Sequence, residues 1–257
     1  MAWRALLKPA LARAIPAEPG RAWLTLAALP AETVFAASRT TQTAAVVVPG
    51  AGRLVRKTWT WPRRRDRLRG AFRTTWAARS PARREFDALE RLRGLAGGPF
   101  APEPFGWVEE RGRGVLRACV LVLSEVEDAL DLANWLVAPR PRRERNQVLA
   151  RLARRVREMH DAGLVDFEMH PRNVLVGPSG AVWKVDCAKQ RRRAGQATSA
   201  DRARDLAALD VGLVRLATAA EREAFLAAYG ANPALVRAVA RARERVDARE
   251  SRRLPPS

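Results

Sequence analysis

The sequence predicts a two-lobed α+β fold: a small antiparallel-sheet lobe with one main helix, then a larger, mostly helical lobe. Three observations carry this expectation. Residues 33–59 alternate short β-branched stretches with turns. One strongly striped helix follows, opening at Ser80-Pro81 and closing at Gly94. Beyond residue 130 the periodicity is helical, interrupted by a single hairpin over residues 174–185. A chain of 257 residues with 47% hydrophobic content can bury the core that such a fold needs. The expected boundaries are a weakly specified segment 1–30, a first lobe 31–123 and a second lobe 124–257.

Residues 1–30 are rich in Ala, Pro and Leu and specify little. Arg4, Lys8 and Pro9 interrupt the opening apolar stretch, which argues against a cleaved signal; a short surface-lying anchor is the alternative. Thr33–Ser38, Thr43–Val48 and Leu54–Trp59 read as strands of a meander, with Pro49-Gly50-Ala51-Gly52 as a turn. Lys57 lies mid-strand among apolar and aromatic neighbours. Ser80 is a good N-cap for the next helix, and Ala82, Phe86, Leu89 and Leu92 form its apolar stripe. Glu85 falls inside that stripe. A buried acid needs a partner, and Lys57 is the natural one.

Between strand and helix, Arg63, Arg64, Arg65, Arg67 and Arg69 form a basic run near Trp59, Trp61 and Trp76. Its plain reading is a solvated face; single-stranded nucleic acid or an anionic membrane are the functional alternatives. Residues 97–104 read as a loop, Val115–Leu123 as a strand, Ser124–Asp128 as a hinge and Leu130–Val137 as a short helix. A long helix spans Glu144–Ala162, with Leu149, Leu152, Val156 and Met159 on one face and a structural His160 near its end. Helices are also expected over Arg204–Leu216, Ala220–Tyr229 and Pro233–Arg253, the last Arg-rich with Leu235, Val239 and Val246 as its apolar side.

The stretch VREMHDAGLVDFEMHPRNVLVGPSGAVWKVDCAK, residues 156–189, organises the rest. A helix ends at Gly163, a polar loop carries Glu168, His170, Pro171 and Asn173, and a hairpin ends on Asp186. Phosphoryl transfer needs a carboxylate to orient the attacking hydroxyl and oxygen ligands for Mg²⁺. In protein kinases the loop acid precedes a metal-binding Asn by five positions, and Glu168 precedes Asn173 by five. The letters differ from that pattern: Asp166-Phe167-Glu168 stands for His-Arg-Asp, and Asp186-Cys187-Ala188 for Asp-Phe-Gly. Asp166 is a fallback base, out of register with Asn173. No glycine-rich loop covers the phosphates; the first turn reads Ser38-Arg39-Thr40-Thr41-Gln42, whose hydroxyls and Arg39 could contact phosphate instead.

Charge narrows the partners. Against 27 acidic residues stand 47 basic ones, a net charge of +20, and lysine occurs only at 8, 57, 184 and 189. Such a balance favours anionic partners. Cys119 and Cys187 read as packing residues, give no disulfide framework, and suit a reducing cytoplasm. No apolar run has the length of a membrane span.

With LVRKTW, SPARREFDALERLRG, HPRNVLV, VWKVDCAK and ARDLAALD followed by EREAFLAAY in order, the chain resembles the bacterial lipopolysaccharide kinase (Kdo/heptose kinase) family. The likeness covers roughly residues 33–229. It implies a protein-kinase-like fold, ATP and Mg²⁺, and a sugar hydroxyl of the lipopolysaccharide core, or a related small molecule or anionic glycolipid, as acceptor. By position it implies that Lys57 binds phosphate, Glu85 orients Lys57, Glu168 is the base, and Asn173 and Asp186 hold metal. The enzyme would work in the cytoplasm, in peripheral contact with the anionic inner face of the inner membrane. Glu168-Met169-His170-Pro171-Arg172-Asn173 is also similar to the D-L-H-P-x-N loop of aminoglycoside and choline kinases. Glutamate at the base position keeps the alternative of a degenerate, nucleotide-binding scaffold. The net charge keeps a third, a nucleic-acid-binding protein on the same scaffold.

Overall fold

The computed structural model describes residues 2–61, 79–112 and 115–251, with side chains through residue 245. The basic run Arg63–Arg69, Trp76, the side chain of Val246 and the end of the last predicted helix at Arg253 lie outside the described residues. The chain forms two compact units, Met1–Glu90 with Pro102–Glu125, and Arg91–Ala101 with Val126–Ser257. None of the described helices is long and apolar enough to cross a membrane.

The first unit is built on a six-stranded antiparallel sheet. Its strands are β1 (Ala2–Leu7), β2 (Thr33–Ala37), β3 (Thr41–Val48), β4 (Gly52–Thr60), β5 (Pro104–Gly112) and β6 (Val115–Ser124), ordered β1-β5-β6-β4-β3-β2. The predicted meander is β2-β3-β4, within two residues at each end. Helices α1 (Pro9–Ala12) and α2 (Pro19–Ala28) precede β2, and α3 (Pro81–Arg93) follows β4.

The first thirty residues have definite structure that their sequence understates. β1 pairs along its length with β5, from Ala2 opposite Arg111 to Leu7 opposite Gly106. Glu18 caps α2 by accepting from the amides of Gly20 at 2.8 Å and Arg21 at 2.6 Å, and Pro19 suits the first helical position. Leu11, Ile15, Ala22 and Leu26 then form a core with Val46, Val48, Leu54, Val108, Val120 and Val122. β5 is the other element the sequence hid. PFGWVEERG holds two acids, an arginine and two glycines, yet both Glu109 and Arg111 are buried and paired with each other at 2.9 Å.

The second unit is mostly helical. After β7 (Leu130–Asp131) come α4 (Leu132–Val137), α5 (Arg142–Asp161), β8 (Leu164–Val165), β9 (Val174–Val176), β10 (Val182–Lys184), β11 (Arg191–Arg192), α6 (Ser199–Leu213), α7 (Ala219–Tyr229) and α8 (Pro233–Ser251). The hairpin β9-β10 extends to β7 as a three-stranded sheet, and β11 pairs with β8. The predicted helix at Leu130 starts two residues later, because Leu130 and Asp131 pair with Val176 and Leu175 and Asp131 becomes the N-cap of α4. Likewise α6 starts at Ser199 rather than Arg204, since Thr198 and Asp201 form a reciprocal capping box. Val148, Leu149, Leu152, Val156 and Met159 bury one face of α5. Gly163 turns the chain out of α5 at φ +75, and a Cβ there would collide with the Gly195 carbonyl oxygen.

Candidate active site

The alternation of side chains along β4 aims Lys57. Leu54 belongs to the core under α1 and α2, and the buried Arg56 donates to the carbonyls of Leu26 in α2 at 2.6 Å and of Leu29 just after it at 2.9 Å. Successive strand residues face opposite ways, so Lys57 emerges on the other face of the sheet. Glu85 of α3 meets it there. Nζ lies 3.1 Å from Oε1 and 2.9 Å from Oε2, with the two side chains 12% and 3% exposed. The Trp59 ring centroid is 5.2 Å from the same ammonium. The predicted partnership of the buried acid with the strand lysine is therefore present. Arg39 and Thr40 lie in the turn between β2 and β3, where the Ser38 hydroxyl accepts from the amides of Thr40 at 3.3 Å and Thr41 at 3.1 Å.

In the second unit, hydrogen bonds tie the polar loop to the hairpin. The Asn173 side-chain amide donates to the Glu168 carbonyl at 2.9 Å, and the His170 amide donates to the same oxygen at 2.9 Å. The Asn173 nitrogen is thus committed to the loop, so Oδ1 is the ligand atom it can offer. The Val185 amide donates to the Asn173 carbonyl at 2.9 Å, which places Asp186 one residue beyond that link. Asp186 holds φ +59, a left-handed conformation that Asp tolerates better than most side chains. The Glu168 carboxylate forms an ion pair with the Lys189 ammonium. Two guanidinium groups lie close to the Phe167 ring, Arg191 at 4.7 Å and Arg204 at 3.6 Å from its centroid.

Beneath this loop sits a layer of buried charge. Asp166 and Lys184 are both fully buried, and Asp166 Oδ2 is 2.7 Å from Lys184 Nζ. Burial pushes the Lys184 ammonium down, yet its pKa is raised, because the Asp166 carboxylate, Cys187 and Asp186 all favour the charged form. Asp166 also accepts from the Glu168 amide at 3.0 Å. These bonds and its burial remove Asp166 as a fallback base. Asp205 of α6 accepts from the Asp166 amide at 2.6 Å and contacts His160 at 3.3 Å, while His160 Nδ1 lies 2.8 Å from the Tyr229 hydroxyl. His160 is buried in that network, the structural place expected of it. Burial raises the Asp205 pKa against the opposing pull of His160. Cys119 is a core residue whose thiol burial pushes up to about 12.

The family model for lipopolysaccharide kinases (Kdo/WaaP) matches residues 32–229. The chain belongs to the lipopolysaccharide kinase family. The match includes β2 to β4, α3, the loop of Glu168 and Asn173, and the strand before Asp186; β1, α1, α2 and α8 lie outside it. No individually curated protein matches the chain. Within this family member, sequence reasoning passed over Lys184 and Lys189. Their signal was rarity: two of only four lysines in an Arg-dominated chain stand within five residues of Asp186.

Proposed function

We propose that this lipopolysaccharide kinase family member transfers the terminal phosphate of ATP to a sugar hydroxyl of the lipopolysaccharide core or a related anionic glycolipid. The observation that carries the reading is the hydrogen-bonded unit of Glu168, Asn173 and the strand leading to Asp186. Glu168 accepts a hydrogen bond from the acceptor hydroxyl and takes its proton as the oxygen attacks phosphorus. The bond to the departing ADP oxygen breaks in the same displacement. Lys57, aligned by Glu85, holds the nucleotide phosphates, and Arg39 and Thr40 add contacts from the first turn.

A magnesium ion suits the donors available. Asn173 Oδ1 and the Asp186 carboxylate are hard oxygens, and magnesium is characteristically held by one or two such groups with phosphates and water completing its shell. Among the described residues no group of three or more His, Cys, Asp and Glu side chains forms a self-sufficient metal site. When bound, the ion neutralises charge on the phosphates.

The setting we propose is the cytoplasm, with peripheral contact to the inner face of the inner membrane. The groove along α5 lined by Arg142, Arg143, Asn146, Gln147, Arg151 and Arg154 supports this, since it carries no acidic side chain. The test is incubation of the full chain with radiolabelled ATP, Mg²⁺ and glycolipid extracted from the host. Label should enter the core sugar with the parent and not with Asp186→Ala; equal labelling by both would refute the assignment. The Lys189 contact on Glu168 favours one second reading, a nucleotide-binding protein without transfer. Nucleotide that raises the melting temperature while no acceptor is labelled would select it.

A further inference from the structure

Asp166 and Lys184 each stand two residues before a proposed active-site acid, Glu168 and Asp186. Their side chains meet at 2.7 Å with neither exposed to solvent. Each also reaches the backbone that leads to its own acid. Asp166 accepts from the Glu168 amide at 3.0 Å, and Lys184 Nζ donates to the Val185 carbonyl at 2.6 Å. The far ends are anchored as well: the Asp166 amide donates to Asp205 at 2.6 Å, and the Lys184 amide to the Phe100 carbonyl at 2.8 Å.

We propose that the Asp166–Lys184 pair is a positioning device that sets the separation between the Glu168 carboxylate and the metal-binding Asp186. The inference rests on the phosphotransfer reading above. A buried ion pair is a poor way to gain stability, because desolvating both charges offsets most of their attraction. Its distinctive capacity is to fix geometry, since each charge tolerates only one arrangement in a dry interior. This pair bridges the two segments that carry the base and the metal ligand, and it lies on the backbone path to both. Residues at such a bridge act through Glu168 and Asp186 and touch neither phosphate nor acceptor.

The pair therefore separates stability from metal affinity, and a double-mutant cycle reads both. Asp166→Asn and Lys184→Met each strand a buried group and lower the melting temperature. Asp166→Asn/Lys184→Met removes both charges at similar volume and recovers most of that loss. The readout of positioning is binding of Mn²⁺ together with ADP, followed by electron paramagnetic resonance, beside binding of ADP alone by calorimetry. The double variant should bind Mn²⁺ at least tenfold more weakly than the parent while ADP alone binds within threefold. If its Mn²⁺ affinity equals the parent's, the pair is only structural and the inference fails by itself. If the parent binds no Mn²⁺ with ADP, the phosphotransfer reading fails and takes this inference with it. Should the double variant melt too low to assay, Lys184→Arg decides. It keeps the charge but lengthens the side chain, so it should weaken Mn²⁺ binding; parental Mn²⁺ affinity in Lys184→Arg would overturn the proposal.

Discussion

Replacing Glu85 with Gln leaves the Lys57 ammonium, 12% exposed, facing a neutral amide in place of two carboxylate oxygens at 2.9 and 3.1 Å. Removing one partner of a fully buried ion pair costs about 3–5 kcal/mol. Lys57 keeps some solvent and the Trp59 ring at 5.2 Å, so the expected loss is smaller, about 2–3 kcal/mol. At about 2–4 °C per kcal/mol for a chain of this size, melting should fall by roughly 5–10 °C. The kinetic effect follows from placement. An ammonium drifting by about 1 Å from the phosphates loses on the order of 10²-fold in kcat/KM, equivalent to about 2.7 kcal/mol of transition-state stabilisation. Steady-state transfer to extracted glycolipid measures this loss, and scanning calorimetry measures the melting shift. Glu85 acts through Lys57, so Glu85→Gln/Lys57→Met should be no slower than Lys57→Met alone. Glu85→Gln with kcat/KM within threefold of the parent, or losses that add in the double variant, would refute the reasoning.

Glu168→Gln keeps the size of the side chain but cannot take a proton. Its transfer rate should fall by about 10²–10⁴-fold with nucleotide affinity unchanged, as read by single-turnover labelling and calorimetry. Glu221 is held by Arg145 at 2.7 Å, which lowers its pKa to about 2. Its pKa is depressed on folding, so its contribution is present above its ordinary range near pH 4.5 and is lost as pH falls toward 2. On the order of 3 kcal/mol is involved. Glu221→Gln should lower stability at pH 7 and flatten the acid side of a denaturation profile; an unchanged slope between pH 5 and 2 would contradict the assignment.

Legibility followed the range of the interactions. Elements with a local signature were readable. The stripe of α3 exposed Glu85 as an acid on the buried side, and the Gly-Pro-Ser-Gly turn marked the β9-β10 hairpin. Elements defined by distant partners were not. β1 is a strand because β5 lies beside it, and β5 hides two charges that pair with each other inside the sheet. At the candidate site, the five-residue spacing pointed to Glu168 and Asn173. Asp166 looked like a spare carboxylate because its partner, Lys184, is remote in sequence and reads as an ordinary strand residue. Only the fold shows that the two share one dry pocket. Lys189 was hidden in a basic stretch, where charge alone does not mark it and only its being a lysine among arginines sets it apart.

Mass spectrometry of core oligosaccharide, released after incubation with ATP, Mg²⁺ and either the parent or Asp186→Ala, tests the central claim most directly. The account predicts one added phosphate on a core sugar with the parent and none with the variant. Unmodified sugar in both samples, or the same added phosphate in both, would contradict it.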